Sequence, residues 1–247
     1  MSYFQTVSLL RKLKLNGMAN ALERQLDAPS LQELSFEERL AMLIDEEISL
    51  RDNNRLHRLL KNAKLKISNA NIEDIDYRAR RGLDRSVIAS LSSCEWIQRH
   101  QNLLITGATG CGKTWISCAF GAQAARKGSS VQYHRVPRLL ELFEIAHGDG
   151  SLPKMRQQLS KVDLLILDDW CIAPMSSLAC SDLLELIDDF IDKGSILITS
   201  QLPPENWHAY LGDPTLADAI LDRLFHSSHR IKLEGDSMRR LKDSKSI

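Results

Sequence analysis

The chain has 247 residues with 32 Lys+Arg against 32 Asp+Glu, so attraction to nucleic acid or to an acidic membrane surface is not built into its net charge. A hydrophobic content of 43% suits a globular protein with one large domain, or a small one plus a larger one. Five cysteines, an odd number without a C-x-x-C pair, argue against a disulfide framework or a zinc knuckle and fit a reducing cytoplasm.

No apolar run approaches the roughly 18 residues needed to span a membrane. In the N-terminal stretch, Arg11, Lys12 and Lys14 interrupt any signal-peptide core, so a cytoplasmic protein is expected. Two short helices are predicted first, separated near Leu15-Asn16-Gly17. Ser35-Phe36-Glu37-Glu38 then reads as a capping box, S-x-x-E, opening a longer helix. Phe36, Leu40, Leu43 and Ile44, then Leu56, Leu59, Leu60 and Ala63, recur at helical spacing. They predict one helix from about Phe36 to Leu65, or two with a break near Asp52-Asn53-Asn54. Residues 51–66 carry six Lys/Arg against one Asp, and residues 78–85 carry four Arg against one Asp. The stretch from His229 onward is also basic. Each run is either a solvated helix face or a phosphate-binding patch. Residues 1–68 form a helical domain without catalytic residues, suited to hold DNA or a partner protein.

Near Asn69 the pattern changes, and 69–247 reads as a second domain. Apolar runs of strand length at Asn102–Thr106, Val131–Arg135, Val162–Leu167, Ser195–Ser200 and Arg230–Leu233 alternate with helical segments. This is an α/β pattern of parallel strands with helices on both faces. The first strand leads into Gly107-Ala108-Thr109-Gly110-Cys111-Gly112-Lys113-Thr114, which matches G-x-x-x-x-G-K-[ST]. A buried helix, Trp115–Ala125, is predicted after it, and that strand–loop–helix context is what gives the match its weight. Glycines let the backbone aim several N–H groups at one phosphate, and the helix dipole faces the same anion. Lys113 supplies a charge for the β- and γ-phosphates, and Thr114 a hydroxyl for Mg²⁺. Cys111 occupies a position that tolerates many residues.

Pro137 can open the helix that carries Leu139, Leu140, Leu142 and Phe143. Val162–Leu167 ends in Asp168-Asp169, the form of a Walker B element. Asp168 is assigned to the metal, directly or through water, and Asp169 to the general base. Aspartate is one methylene shorter than the glutamate common at the second position, so slow turnover is expected. The strand Ser195–Ser200 ends in polar residues. Gln201 is the leading candidate to read the γ-phosphate, with Ser200 and Thr199 close behind. Arg223 falls late in a predicted helix. It is either a surface partner of Asp222 or an arginine finger for a neighbouring subunit. Gly235-Asp236-Ser237-Met238 opens a short C-terminal helix whose Arg239 or Arg240 could contact the nucleotide.

Several segments longer than a Walker motif resemble the IstB-type ATP-binding proteins, helper ATPases of bacterial insertion sequences related to the DnaC and DnaA group of AAA+ ATPases. They are Leu34–Leu40, Arg81–Arg85, Val136–Leu140, Asp163–Trp170, Ile198–Pro203, Gly212–Arg223 and Gly235–Arg239. Cys171 stands where the family usually has Gly, and Cys111 where Thr is frequent. The resemblance implies an AAA+ P-loop fold with a parallel five-stranded sheet flanked by helices, plus a small all-helical N-terminal domain. It also implies ATP and Mg²⁺ as cofactors, and homo-oligomers on double-stranded DNA with little sequence preference. A transposase would be stimulated, with ATP between subunits and Arg223 acting in trans. A DnaC-type replicative helicase loader shares the ATPase core and is the alternative. A small-molecule kinase would need an acceptor site and lid arginines instead.

Overall fold

In the computed structural model, which describes residues 3–28, 31, 33–77, 81–235, 237 and 238, the capping box forms as its spacing predicts. The Ser35 amide donates to the Glu38 carboxylate at 2.8 Å, and the Glu38 amide donates to the Ser35 hydroxyl at 3.2 Å. It opens α3, Phe36–Ala63, an unbroken helix of 28 residues. Asp52, Asn53 and Asn54 are exposed in it and leave the backbone ladder intact. Two helices precede it, α1 (Tyr3–Lys12) and α2 (Asn16–Asp27). The start of α2 approaches α3 closely because Gly17 has no side chain: a Cβ there would lie 2.6 Å from Glu47 Cα. The Glu47 carboxylate accepts from the Gly17 and Met18 amides at 2.7 and 3.2 Å, satisfying N–H groups that the first turn of a helix leaves unpaired.

By packing, the chain divides into two compact units, Met1–Arg58 and Leu59–Ile247. The last turns of α3 belong to the second. Leu59, Leu60, Ala63, Leu65 and Ile67 all join one of its core clusters. The packing boundary therefore precedes the change of sequence pattern at Asn69.

The second unit is built on β1 (Asn102–Gly107), β2 (Val131–Arg135), β3 (Leu164–Trp170), β4 (Ser195–Ser200) and β5 (Ser228–Leu233). They form one five-stranded sheet in the order β2-β3-β4-β1-β5, with every neighbouring pair parallel. The helices are α4 (Arg85–Ser92), α5 (Glu95–Gln98), α6 (Lys113–Arg126), α7 (Val136–Asp149), α8 (Leu152–Leu159), α9 (Ser177–Phe190) and α10 (Pro214–Phe225).

Strand side chains alternate between faces, so an unbroken apolar run feeds two cores at once. Leu103, Ile105, Leu164, Ile166 and Leu197 pack under α4, α5 and α6. Leu104, Leu165, Leu167, Ile196 and Ile198 pack under α7, α8, α9 and α10. This is why the predicted strands lack polar alternation. The insertion of β4 between β1 and β3 brings the carboxyl ends of all three side by side, where open parallel sheets form their ligand crevice. Among the described residues, no helix is long and apolar enough to cross a membrane.

Candidate active site

Buried β1 delivers the chain into the glycine loop at the crevice. Gly107 has φ 148° and Gly110 φ 84°, values in the region that favours glycine. The space is equally demanding: a Cβ on Gly107 would meet the Leu233 carbonyl oxygen at 2.3 Å, and one on Gly110 would meet Ser237 Oγ at 2.2 Å. Gly112 then caps α6, which begins at Lys113. Lys113 is 8% exposed, and its Nζ donates to the Gly107 and Ala108 carbonyls at 2.7 and 2.8 Å. A buried cation that donates to backbone carbonyls at a helix N-terminus is suited to an incoming phosphate. Cys111 is fully buried beneath the loop.

Asp168, on β3, is fully buried. Thr114 Oγ1 donates across to it, 3.0 Å from Oδ1 and 3.1 Å from Oδ2. Two further hydroxyls reach it from the flanking strands: Thr199 on β4 donates to Oδ1, and Tyr133 on β2 donates to Oδ2 at 2.5 Å. Lys66 Nζ stands 4.0 Å from Oδ2. Tyr133 has no motif to announce it, because its role depends on β2 lying beside β3. Thr199, a secondary candidate at the strand end, touches the carboxylate directly. Burial, and then the bond to Asp168, push the Tyr133 phenol pKa well up, so the phenol stays a donor.

The β3–β4 register shifts between Leu167 and Trp170, and Asp169 sits in that irregularity with φ 62°. Its side chain turns out of the sheet and accepts from Arg135 Nε at 2.8 Å. Its own amide donates to Thr199 Oγ1 at 3.3 Å. Cys171 follows with φ 52°, a conformation that glycine adopts without strain. Burial pushes the Cys171 thiol pKa up to about 12.

Gln201, just past β4, faces the glycine loop: its Oε1 accepts from Thr109 Oγ1 at 2.7 Å. Met238 closes the other side, its amide donating to the Gly110 carbonyl at 2.9 Å. Arg239 and Arg240 lie outside the described residues. Arg223, on α10, pairs with Asp188 of α9 rather than with Asp222, and donates to the Ala219 carbonyl at 2.9 Å. Among the described residues, no hydrogen bond or ion pair joins Arg223 to the loop or to Asp168 and Asp169.

One expectation needs correction. Arg81 is not part of a free basic patch. It is 5% exposed and donates to the carbonyls of Cys111 at 3.3 Å and Asp76 at 2.6 Å, so it braces the back of the glycine loop. Arg78 and Arg80 lie outside the described residues. Arg85 stacks over the Tyr77 ring, 4.8 Å from its centroid.

The residues fit a nucleotide with Mg²⁺. The loop is a cradle that side chains would fill, with a buried lysine and a hydroxyl–carboxylate pair beside it. Among the described residues, no group of three or more His, Cys, Asp or Glu could hold a metal alone. A divalent ion here would rely on Thr114, Asp168, water and phosphate oxygens, as Mg²⁺ does in such sites.

The model of the family described as IstB-like ATP binding protein matches residues 8–246. The IS1162 insertion-sequence ATP-binding protein of Pseudomonas fluorescens is 54% identical over 198 residues, covering 80% of this chain and 86% of that protein. The insertion-sequence ATP-binding protein y4pL of Sinorhizobium fredii is 44% identical over 241 residues and 98% of each chain. Among solved structures, the AMPPCP-bound DnaA of Aquifex aeolicus superposes with a TM-score of 0.56 at 20% identity, over 72% of this chain and 53% of that one. At that identity the likeness speaks for the fold alone, the AAA+ P-loop fold.

Proposed function

This chain belongs to the IstB-like ATP-binding protein family, and from that premise we propose that it is a DNA-binding helper ATPase that assembles on duplex DNA with ATP and stimulates a partner transposase. One observation carries the reading. In a chain related over nearly its whole length to insertion-sequence ATP-binding proteins, Lys113, Thr114, Asp168 and Gln201 converge at the ends of adjacent parallel strands.

In this reading the loop amides and Lys113 hold the β- and γ-phosphates. Thr114 and Asp168 hold Mg²⁺, which when bound neutralises charge on the phosphate oxygens. Asp169 takes the proton of the attacking water, Gln201 contacts the γ-phosphate, and a nucleotide contact is assigned to Arg239. Arg223 exchanges Asp188 for the γ-phosphate bound by an adjacent copy in the homo-oligomer. Hydrolysis is slow in the isolated subunit and ends the assembly on DNA. DNA contact without base reading uses cations on phosphates. Arg51, Arg55 and Arg58 recur at helical spacing on exposed α3 and suit that task. The protein works in the cytoplasm.

The test is sizing of the purified protein with duplex DNA, with and without ATP·Mg²⁺, beside Lys113→Ala. Large complexes that need ATP and vanish in the variant are expected. Assembly that ignores both ATP and DNA would sink the proposal and favour a DnaC-type helicase loader, whose partner would then be sought on residues 1–68.

A further inference from the structure

The buried carboxylate at the crevice is gripped from both sides of its own strand. β3 lies between β2 and β4, and each neighbour supplies one hydroxyl. Tyr133 takes Oδ2 of Asp168 at 2.5 Å, and Thr199 takes Oδ1. An ionised carboxylate offers about four lone-pair directions, two on each oxygen. With one on each oxygen occupied by a clamp hydroxyl, the carboxylate cannot rotate without breaking both bonds. The remaining pair faces Thr114 Oγ1, at 3.0 and 3.1 Å.

A cation stands nearby. Lys66 Nζ is 4.0 Å from the same Oδ2 that Tyr133 occupies, and its side chain is 44% exposed, with room to move. Tyr133 itself is 8% exposed, and its hydroxyl donates to that oxygen. The phenol therefore does two things by its placement. It fixes the carboxylate plane, and it fills the lone pair that the lysine would otherwise take.

We propose that Tyr133 is a positioning residue for the metal site: its hydroxyl keeps Asp168 turned toward Thr114 and stops Lys66 from closing on the carboxylate in place of the divalent ion. This rests on the assignment of Thr114 and Asp168 to Mg²⁺ given above. Removing the hydroxyl leaves a buried oxygen short of a donor, and the Lys66 ammonium, 4.0 Å away, is able to supply one. The lysine and the divalent ion then compete for one carboxylate. Nucleotide affinity without metal is unaffected, because the phosphates are held by the loop and Lys113.

The experiment measures binding of a fluorescent ADP analogue to the full chain as free Mg²⁺ is varied, and again in EDTA. Tyr133→Phe is expected to bind as the wild type does in EDTA and to need about tenfold more Mg²⁺ for half-maximal effect, the size set by one hydrogen bond to a charged acceptor. Adding Lys66→Ala to Tyr133→Phe should recover most of that loss, which a merely structural role for the ring would not do. An unchanged or lowered Mg²⁺ requirement in Tyr133→Phe overturns the proposal, and a double variant no better than the single one overturns the competition with Lys66.

A wild-type readout stands beside these in case Tyr133→Phe fails to fold. The chain has four tyrosines, so with 13Cζ-labelled tyrosine the Tyr133 signal is assigned by replacing Tyr3, Tyr77 and Tyr210 with Phe in turn. It should move when Mg²⁺ is added to the ADP-bound protein and stay in place when ADP is added in EDTA. A signal indifferent to Mg²⁺ in a protein whose ADP binding does depend on Mg²⁺ overturns the role of Tyr133 alone. Wild-type binding that ignores Mg²⁺ sinks the metal assignment and this proposal with it.

Discussion

Arg135 and Asp169 form an ion pair at 2.8 Å across the ends of β2 and β3, between the last residue of one strand and a residue whose left-handed backbone turns it out of the other. The pair occupies the carboxylate assigned to activate water. The guanidinium holds Oδ2 of that group, so the pair must part before this oxygen can meet a water.

Arg135→Ala should therefore raise DNA-independent ATP hydrolysis several-fold, read as phosphate release, without tightening nucleotide binding. Asp169→Asn should bind ATP, fail to turn it over and remain on DNA as a long-lived assembly. Normal hydrolysis by Asp169→Asn would remove Asp169 from the role of base, and a slower rather than faster Arg135→Ala would show that the arginine assists the reaction instead of restraining it.

The buried guanidinium of Arg81 bonds to the carbonyls of Cys111 and Asp76. Arg81→Ala removes the brace behind the glycine loop and leaves both carbonyls without that donor. A loss of roughly 1–3 kcal/mol in unfolding free energy is expected from chemical denaturation, together with weaker nucleotide binding. The salt dependence of DNA binding should stay as in the wild type. A flatter salt dependence in Arg81→Ala would restore this residue to the DNA interface.

Cys171 holds φ 52° although it carries a side chain, at a cost of about 1–2 kcal/mol relative to glycine. At most buried positions an alanine is more stable than a glycine. Here the order should invert, with Cys171→Gly more stable than Cys171→Ala by about 1 kcal/mol in thermal or chemical unfolding. Equal stability, or alanine ahead, would mean that the backbone at this position relaxes when the thiol is removed.

Arg55 and Arg58 are exposed on α3. If both reach DNA phosphates, replacing the pair with alanine should lower the slope of log affinity against log salt by about two, since each neutralised phosphate contributes close to one. Binding should weaken evenly across unrelated duplex sequences. An unchanged slope would exclude this face of α3 and direct attention to the C-terminal basic stretch.

Local sequence determined a good deal of this protein. The capping box at Ser35, the glycine loop, the five apolar strand runs and the acidic pair at the end of the third each depend on neighbours in the chain, and each is visible as spacing. The likeness to the IstB-like ATP-binding proteins rests on longer runs of the same kind. Tertiary structure decided what those runs meet. That Arg81 braces the loop instead of facing solvent follows from its backbone carbonyl pairing with the Glu234 amide while its guanidinium reaches the Cys111 carbonyl. That Tyr133 and Thr199 grip Asp168 follows from the strand order, which sequence spacing does not encode. That Asp169 meets Arg135 follows from a slip in the β3–β4 register and a left-handed residue within a strand that reads as regular. Period and composition report how each segment hydrogen-bonds and buries itself. Which side chains converge depends on how segments far apart in the chain are brought edge to edge, and that is set by packing both faces of the sheet at once.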